Sequence, residues 1–409
     1  PDMPVRAYSN SGDPLMNGLQ FAGEFADVLT VQLGEGGGTI SPVCQNYAYW
    51  VKLAKDISGI DTVIACPHEC DSGYPTGASS EEEMLELYSQ IFRGGGEGFS
   101  FWPASYGGFS PPPVFAASCS EGYPLAWQYM LAMSRHVASM PRLKFPEKID
   151  TAVLLSAESV KCDPKKNTAE GLFTMLGPYS RGWFRFLCDS NLESGREKLS
   201  GYKIVYLPYA QYVKQDFPQQ VGEYVKNGGI LVCGDPLVFS NSVSADSLAA
   251  EREKLFGVKV MDENAKYTSV KVGNEIRPIV CDSVRIQLTD KNAKVIGTFP
   301  DGSPSIIERP YGKGKVIYFA FRVFSLPHLS PFLPWLADFR TRHKELGGSV
   351  GHDIWRFRFP PMKVSLPKTP AGKCLTNNYA FWNRFRFNDG IFQNVDTKAS
   401  CRVTRDGKG

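Results

Sequence analysis

Several features are scarce or missing in this 409-residue chain, and each gap closes off a class of function. No apolar run approaches the roughly 20 residues of a membrane span. Neither charge sign is in excess: 45 basic residues face 42 acidic ones, for a formal net charge of +3. That balance argues against nucleic acid or an anionic membrane as the main partner. The 10 cysteines show no metal spacing, because Cys66 and Cys70 have no second close pair to complete a four-ligand zinc site. No metal or cofactor is therefore expected. Histidine is rare, at five, with none between His136 and His328. No phosphate-cradling Gly-Lys-Ser/Thr motif and no repeat of 20 to 50 residues is present. The chain opens at Pro1 with no Met, no basic segment and no signal-like apolar core, as expected of a fragment or a processed piece.

What is present reads as a soluble α/β protein. The chain is too long for one ordinary core and predicts two or three domains. Ten cysteines do not by themselves imply disulfides, so the compartment stays open between cytoplasm and exterior. Cys66 and Cys233 end apolar runs, where a buried free thiol is expected. Aromatics make up 12% of the chain, a stock that serves a core and also suits stacking on pyranose rings.

The pattern along the chain is strand then helix, repeated. Strands are predicted at Pro4–Ser9, Asp27–Leu33, Thr62–Cys66 and Phe99–Trp102. Helices are predicted at 45–57, at 80–93 behind the Ser80-x-x-Glu83 capping box, and at 124–140; 15–25 is weakly helical. Gly94-Gly-Gly96 stops the second of these helices. Four βα units in succession imply a parallel sheet, and a closed barrel would need eight. After the Pro141–Pro146 break the alternation restarts. Strands are expected at Thr151–Leu155, Lys203–Leu207 and Ile230–Cys233, near Val284–Leu288 and Val295–Thr298, and at the close of Pro310–Phe319. Residues 168–187 read as mostly helical, and Asp216–Lys226 as a helix stopped by Asn227-Gly-Gly229. Beyond Phe324 the sequence becomes Pro-rich, aromatic and basic, with strands expected at Tyr379–Phe387 and Cys401–Thr404.

In parallel α/β units, ligand chemistry collects at the carboxyl ends of strands. The polar knot Pro67-His68-Glu69-Cys70-Asp71 follows a buried strand directly, which makes Glu69 and His68 site candidates. Glu35 lies in Gly34-Glu-Gly-Gly-Gly38, where the missing side chains permit close approach to a ligand or simply form a turn. Trp102 ends the fourth strand, with Tyr106 beyond it, and Asn10 ends the first. Cys233 carries no Gly-x-Cys-x-Gly elbow and no neighbouring His, so a nucleophilic role is not expected of it.

Three motifs carry a family resemblance. Gly94-Gly-Gly-Glu-Gly-Phe-Ser-Phe-Trp102 is similar to the eighth barrel strand of the family 42 β-galactosidases. Tyr202-Lys-Ile-Val-Tyr-Leu-Pro208 through Val225-Lys-Asn-Gly-Gly-Ile-Leu-Val232 resembles their glutamine-amidotransferase-like domain, and Tyr311-Gly-Lys-Gly-Lys-Val-Ile-Tyr318 its closing strand. The resemblance implies a partial (β/α)8 TIM barrel of about four βα units (strands five to eight) over 1–145. It further implies a flavodoxin- or amidotransferase-like three-layer α/β domain over 146–325, then a linker and the start of a small β-domain over 326–409. It makes Glu69 the nucleophile of a retaining β-galactosidase-like glycosidase and Trp102 an aromatic floor for the sugar, with His68, Glu35, Tyr106 and Asn10 as further contacts. It places the acid/base glutamate after strand four, before Pro1, so the chain would lack it. The implied partners are a carbohydrate and further copies of the chain, as a trimer or dimer through the α/β domain. The competing expectation is a non-catalytic carbohydrate-binding or oligomerisation module.

Overall fold

The computed structural model describes residues 4–9, 15, 17–33, 46–67, 81–99, 124–328, 333–362, 385–388, 391–394 and 400–402. Its first sheet joins β1 (Arg6–Ser9), β2 (Val28–Leu33), β3 (Thr62–Pro67) and β4 (Gly98–Phe99), in that order and all parallel. Helix α1 (Tyr47–Ser58) links β2 to β3, α2 (Glu81–Arg93) links β3 to β4, and α3 (Pro124–Ser139) follows. Leu19–Glu24 is a short 3-10 helix. Glycines end both crossover helices. Gly59 adopts a left-handed φ of 72° and donates to the Lys55 carbonyl, and Gly95 does the same work for α2 at φ 94°.

The helices lie on one face of this sheet. Phe99 meets Tyr88 and Phe92 of α2 edge-on, with ring centroids 4.9 and 6.3 Å apart. By register, Ala65, Val63, Leu29, Val31 and Leu33 share that face, and all five are buried.

The second sheet is larger. Its parallel strands are β5 (Thr151–Leu155), β6 (Arg185–Cys188), β7 (Ile204–Leu207), β8 (Ile230–Cys233) and, last in the chain, β13 (Gly314–Phe319). An antiparallel wing adds β9 (Ser269–Val272), β10 (Glu275–Pro278), β11 (Lys294–Thr298) and β12 (Pro304–Tyr311). The nine-stranded order is β10-β9-β11-β12-β13-β8-β7-β5-β6. Helix α4 (Phe217–Lys226) connects β7 to β8.

Two elements depart from the sequence reading. The expected helix over 168–187 ends early: it closes in a π-helical turn over Met175–Tyr179 that contains Pro178, and Arg185–Cys188 becomes β6, paired in parallel with β5. Sheet pairing and the β-prone aromatic run Trp183-Phe184 override local helix preference there. The stretch after Phe324 contains a helix, α5 (Leu333–Glu345), that the irregular composition concealed. Its Phe339 and His343 pack on Tyr206 in the centre of the second sheet. Near the carboxyl terminus, Phe385–Asn388, Ile391–Asn394 and Ser400–Arg402 form a three-stranded antiparallel sheet.

A continuous seam joins the two sheets through α1. Tyr49 lies edge-on to Phe173 and Phe186, at 5.6 and 5.7 Å. The Asp56 carboxylate accepts the Phe186 amide at 2.9 Å and pairs with Lys52 at 3.0 Å. Lys52 is buried, and its ammonium stands 4.0 Å from the Trp183 ring centroid. Burial lowers the Lys52 pKa, and Asp56 opposes that shift. Asn191 and Arg196 donate to the last carbonyls of α1, at Ile57 and Ser58. Farther along, Trp355 donates to the Gly182 carbonyl at 2.6 Å, and the Phe359 amide donates to Ser89 of α2 at 2.9 Å.

Candidate functional site

The first sheet supplies the carboxyl ends where a site is expected, at Ser9, Leu33, Pro67 and Phe99. Counted along the chain, Asn10 follows β1 directly and His68 follows β3 directly. Glu35 and Glu69 stand two residues past β2 and β3, and Trp102 stands three past β4. Tyr106 stands seven past β4. All six residues, with the cap residue Ser80, lie outside the described residues.

What is described is the sheet face on the side away from α2. Register places Arg6, Tyr8, Val28, Thr30, Gln32, Thr62, Ile64, Cys66 and Gly98 on it. Parallel sheets packed on both faces read as unbroken apolar runs, and this face does not. Arg6 Nε donates to Thr30 Oγ1 at 2.5 Å, and one step nearer the strand ends the Tyr8 hydroxyl donates to Gln32 Oε1 at 2.8 Å. Thr30 and Gln32 are buried, whereas Tyr8 is 44% exposed. The sequence reading took 27–33 as a strand and assigned these residues no role. The signal was the alternation Arg6-x-Tyr8 and Thr30-x-Gln32.

The second sheet has a switch point between β5 and β7, where open α/β sheets usually bind ligands. Here the chain itself fills that crevice. Ser156 and Ser159 both donate to the Tyr212 carbonyl, at 2.9 and 2.6 Å, and the Tyr212 amide returns a bond to Ser159 at 2.9 Å. Cys233 is fully buried, burial holds its thiol pKa well above the usual value, and its Sγ lies 3.5 Å from the Asp235 carbonyl. Nothing activates it. Cys66 is likewise buried. A groove of about 770 Å³ between α4 and residues 197–202 lies at the opposite, amino-terminal edge of β7 and β8. Among the described residues, no His/Cys/Asp/Glu group could hold a metal ion, and no helix is long and apolar enough to cross a membrane.

Comparisons with known proteins follow the same division. Residues 179–329 match the family model of the β-galactosidase trimerisation domain. The β-galactosidase Pbg of Clostridium perfringens is 28% identical over 142 residues, covering 30% of this chain and 20% of that protein. Gan42B, a family 42 β-galactosidase from G. stearothermophilus, superposes with a TM-score of 0.66 at 12% identity, over 98% of this chain and 61% of its own. The β-galactosidase of the Antarctic haloarchaeon Halorubrum lacusprofundi gives 0.67 at 14% identity, over 88% of this chain and 56% of its own. The chain thus spans less than two thirds of each of these relatives, and the two superpositions establish a shared fold. Through its matched trimerisation segment and its α/β fold, the chain is family 42 β-galactosidase-like.

Proposed function

We propose that the chain is the rear part of a retaining β-glycosidase acting on a β-galactoside or a related β-linked sugar. Residues 1–145 contribute four βα units of a (β/α)8 barrel and 146–325 an amidotransferase-like domain through which copies associate as a trimer or dimer. Residues 326–409 tie back across the seam and begin a small β-domain. One observation carries this reading: five of the six candidate residues follow, within three positions along the chain, the carboxyl ends of strands of one parallel sheet.

Retention requires two carboxyl groups about 5–5.5 Å apart, one attacking the anomeric carbon and one protonating the leaving oxygen. On this reading Glu69 forms the glycosyl-enzyme. Trp102 offers its indole face to the apolar side of the pyranose, and His68, Glu35, Tyr106 and Asn10 contact the sugar. The general acid is an Asn-Glu glutamate in the completing half of the barrel, supplied by a preceding segment or a partner chain. The matched trimerisation segment also favours a second reading, in which the chain is a non-catalytic oligomerisation module. Glu69→Gln in the full natural protein separates the two. Turnover of aryl β-galactosides falls at least about a thousandfold if Glu69 is the nucleophile, and unchanged turnover removes that assignment.

A further inference from the structure

Between α5 and the carboxyl-terminal sheet the chain carries a motif that the site reading left unused, Trp355-x-Phe357-x-Phe359. Trp355 turns into the second region. Its indole donates to the Gly182 carbonyl at 2.6 Å, and its ring meets Phe173 and Trp183 at 5.4 and 5.7 Å. A Cβ on Gly177 would lie 2.7 Å from that indole, so the seat exists because residue 177 has no side chain. Phe359 turns the other way. Its amide donates to Ser89 of α2 at 2.9 Å, and its ring stands edge-on to Phe92 at 5.2 Å and to His136 of α3 at 5.8 Å. Phe357 also meets Phe92, at 6.2 Å, and Phe92 in turn meets Phe99 of β4. Arg93, at the end of α2, donates to the Trp355 carbonyl at 3.5 Å. Trp355, Phe359, Ser89 and Phe92 are all buried.

We propose that residues 355–359 form a clasp that fixes α2 and β4 against the second region, with Phe359 as a positioning residue for the chemistry proposed above. The positioning role rests on the glycosidase reading, in which Glu69 stands twelve residues before α2 and Trp102 three after β4. The clasp itself rests on packing. One end of a five-residue stretch fills a seat in the second region, and the other fills the angle between α2 and α3. Close-packed aromatic rings transmit a shift at one end to the other, because neither seat has slack to absorb it. Rate is sensitive to such shifts: a misplacement of about 1 Å that originates far from the chemistry can cost about a hundredfold.

The test uses the full natural protein, amide hydrogen exchange read over residues 81–93, and an aryl β-galactoside as substrate. Phe359→Ala removes the ring that α2 packs on, and Phe359→Leu keeps a bulky apolar group there. Gly177→Ala drives a methyl into the Trp355 seat from the second region. Exchange over 81–93 is expected to quicken at least about tenfold in Phe359→Ala and in Gly177→Ala. In both, kcat falls about tenfold while KM stays within about twofold, and Phe359→Leu returns exchange and kcat to within about threefold of wild type. Exchange over 151–155 and 204–207 stays unchanged in Phe359→Ala, which separates the clasp from a general loss of stability. Unchanged exchange over 81–93 in Gly177→Ala overturns the clasp, because a local role for Phe359 would leave α2 indifferent to that methyl. Faster exchange with wild-type kcat overturns the positioning role and leaves the glycosidase reading standing. A wild-type protein that does not turn over the substrate overturns that reading and the positioning role with it, while exchange still decides the clasp.

Discussion

The two parallel sheets are built by the same rule and present different side chains. In the second, Thr151 to Leu155 and Ile204 to Leu207 are shut away from solvent on both faces, and helices with the tail helix α5 close over them. In the first, one face packs against α1 and α2 while the other carries Arg6, Tyr8, Thr30 and Gln32. The backbone hydrogen bonding is alike. What differs is the side-chain alternation, which records whether a sheet face is packed with apolar side chains or carries polar ones. The matched trimerisation segment falls in the packed sheet, and the candidate site residues cluster after strands of the polar-faced one.

The comparison can be broken most severely from inside the packed sheet. Leu154→Asp puts a charge where both faces are dry, and a loss beyond about 4 kcal/mol should unfold that region. Circular dichroism melts check it, and a folded variant would show that the sheet is not sealed.

Next in size is the seam. Lys52→Met leaves the partly buried Asp56 carboxylate without its counter-charge and should cost about 3 kcal/mol in urea denaturation. Lys52→Met with Asp56→Asn should recover much of that. The amide needs no cation, and its oxygen still accepts the Phe186 N–H.

Two titrating groups of the packed region come next. His343 is buried beneath Tyr206, and burial lowers its pKa to about 4. Its Nε2 faces the Ser349 carbonyl, so Nε2 carries the proton and Nδ1 accepts from Tyr206. Because the folded pKa is depressed, its contribution is complete above about pH 6.5 and is lost as pH falls toward 4. Asp189 runs the other way. Burial raises it to about 6, so its contribution is complete below the ordinary carboxylate range and is lost as pH rises to about 6. The opposing slopes nearly cancel between pH 4 and 6. Asp189→Asn should therefore expose stability that rises with pH across that window, and His343→Gln stability that falls. Denaturation midpoints at several pH values read the sign directly, with roughly 1–3 kcal/mol expected across the window.

The smallest effect is the sharpest contrast. Val205→Thr buries a hydroxyl in the dry sheet and should cost about 1–3 kcal/mol. The reverse exchange on the polar face, Thr30→Val, removes a single bond from Arg6 and should cost about 1 kcal/mol or less. Equal costs would erase the distinction between the sheets.

Much of this was legible in the chain. β5 and β8 match their apolar runs residue for residue, and α1, α3 and α4 fall within two residues of the expected bounds. Glycine stops after α1 and α2 mark the ends because left-handed backbone suits a residue without a side chain. The wing hairpin of β9 and β10 was missed, since short strands with a single Gly-Asn turn leave little local signal. Of the site, the loop positions could be read from where strands stop. The polar pairs could not, because Arg6 meets Thr30 across 24 residues and Tyr8 meets Gln32 across the same gap.

The sequence alone determined the alternation of strand and helix, the break between two parallel sheets and the placing of the candidate residues just beyond strand ends. These follow from periodicity and turn chemistry, which act over a few residues. Tertiary structure decided that Arg185–Cys188 is a strand, that α5 closes the second sheet and that α1 belongs to both regions. It also decided that Tyr8 meets Gln32, diagonally across two paired strands. Each of these depends on which distant segment supplies the partner, and contact between distant segments is a property of the packed chain that no short window contains.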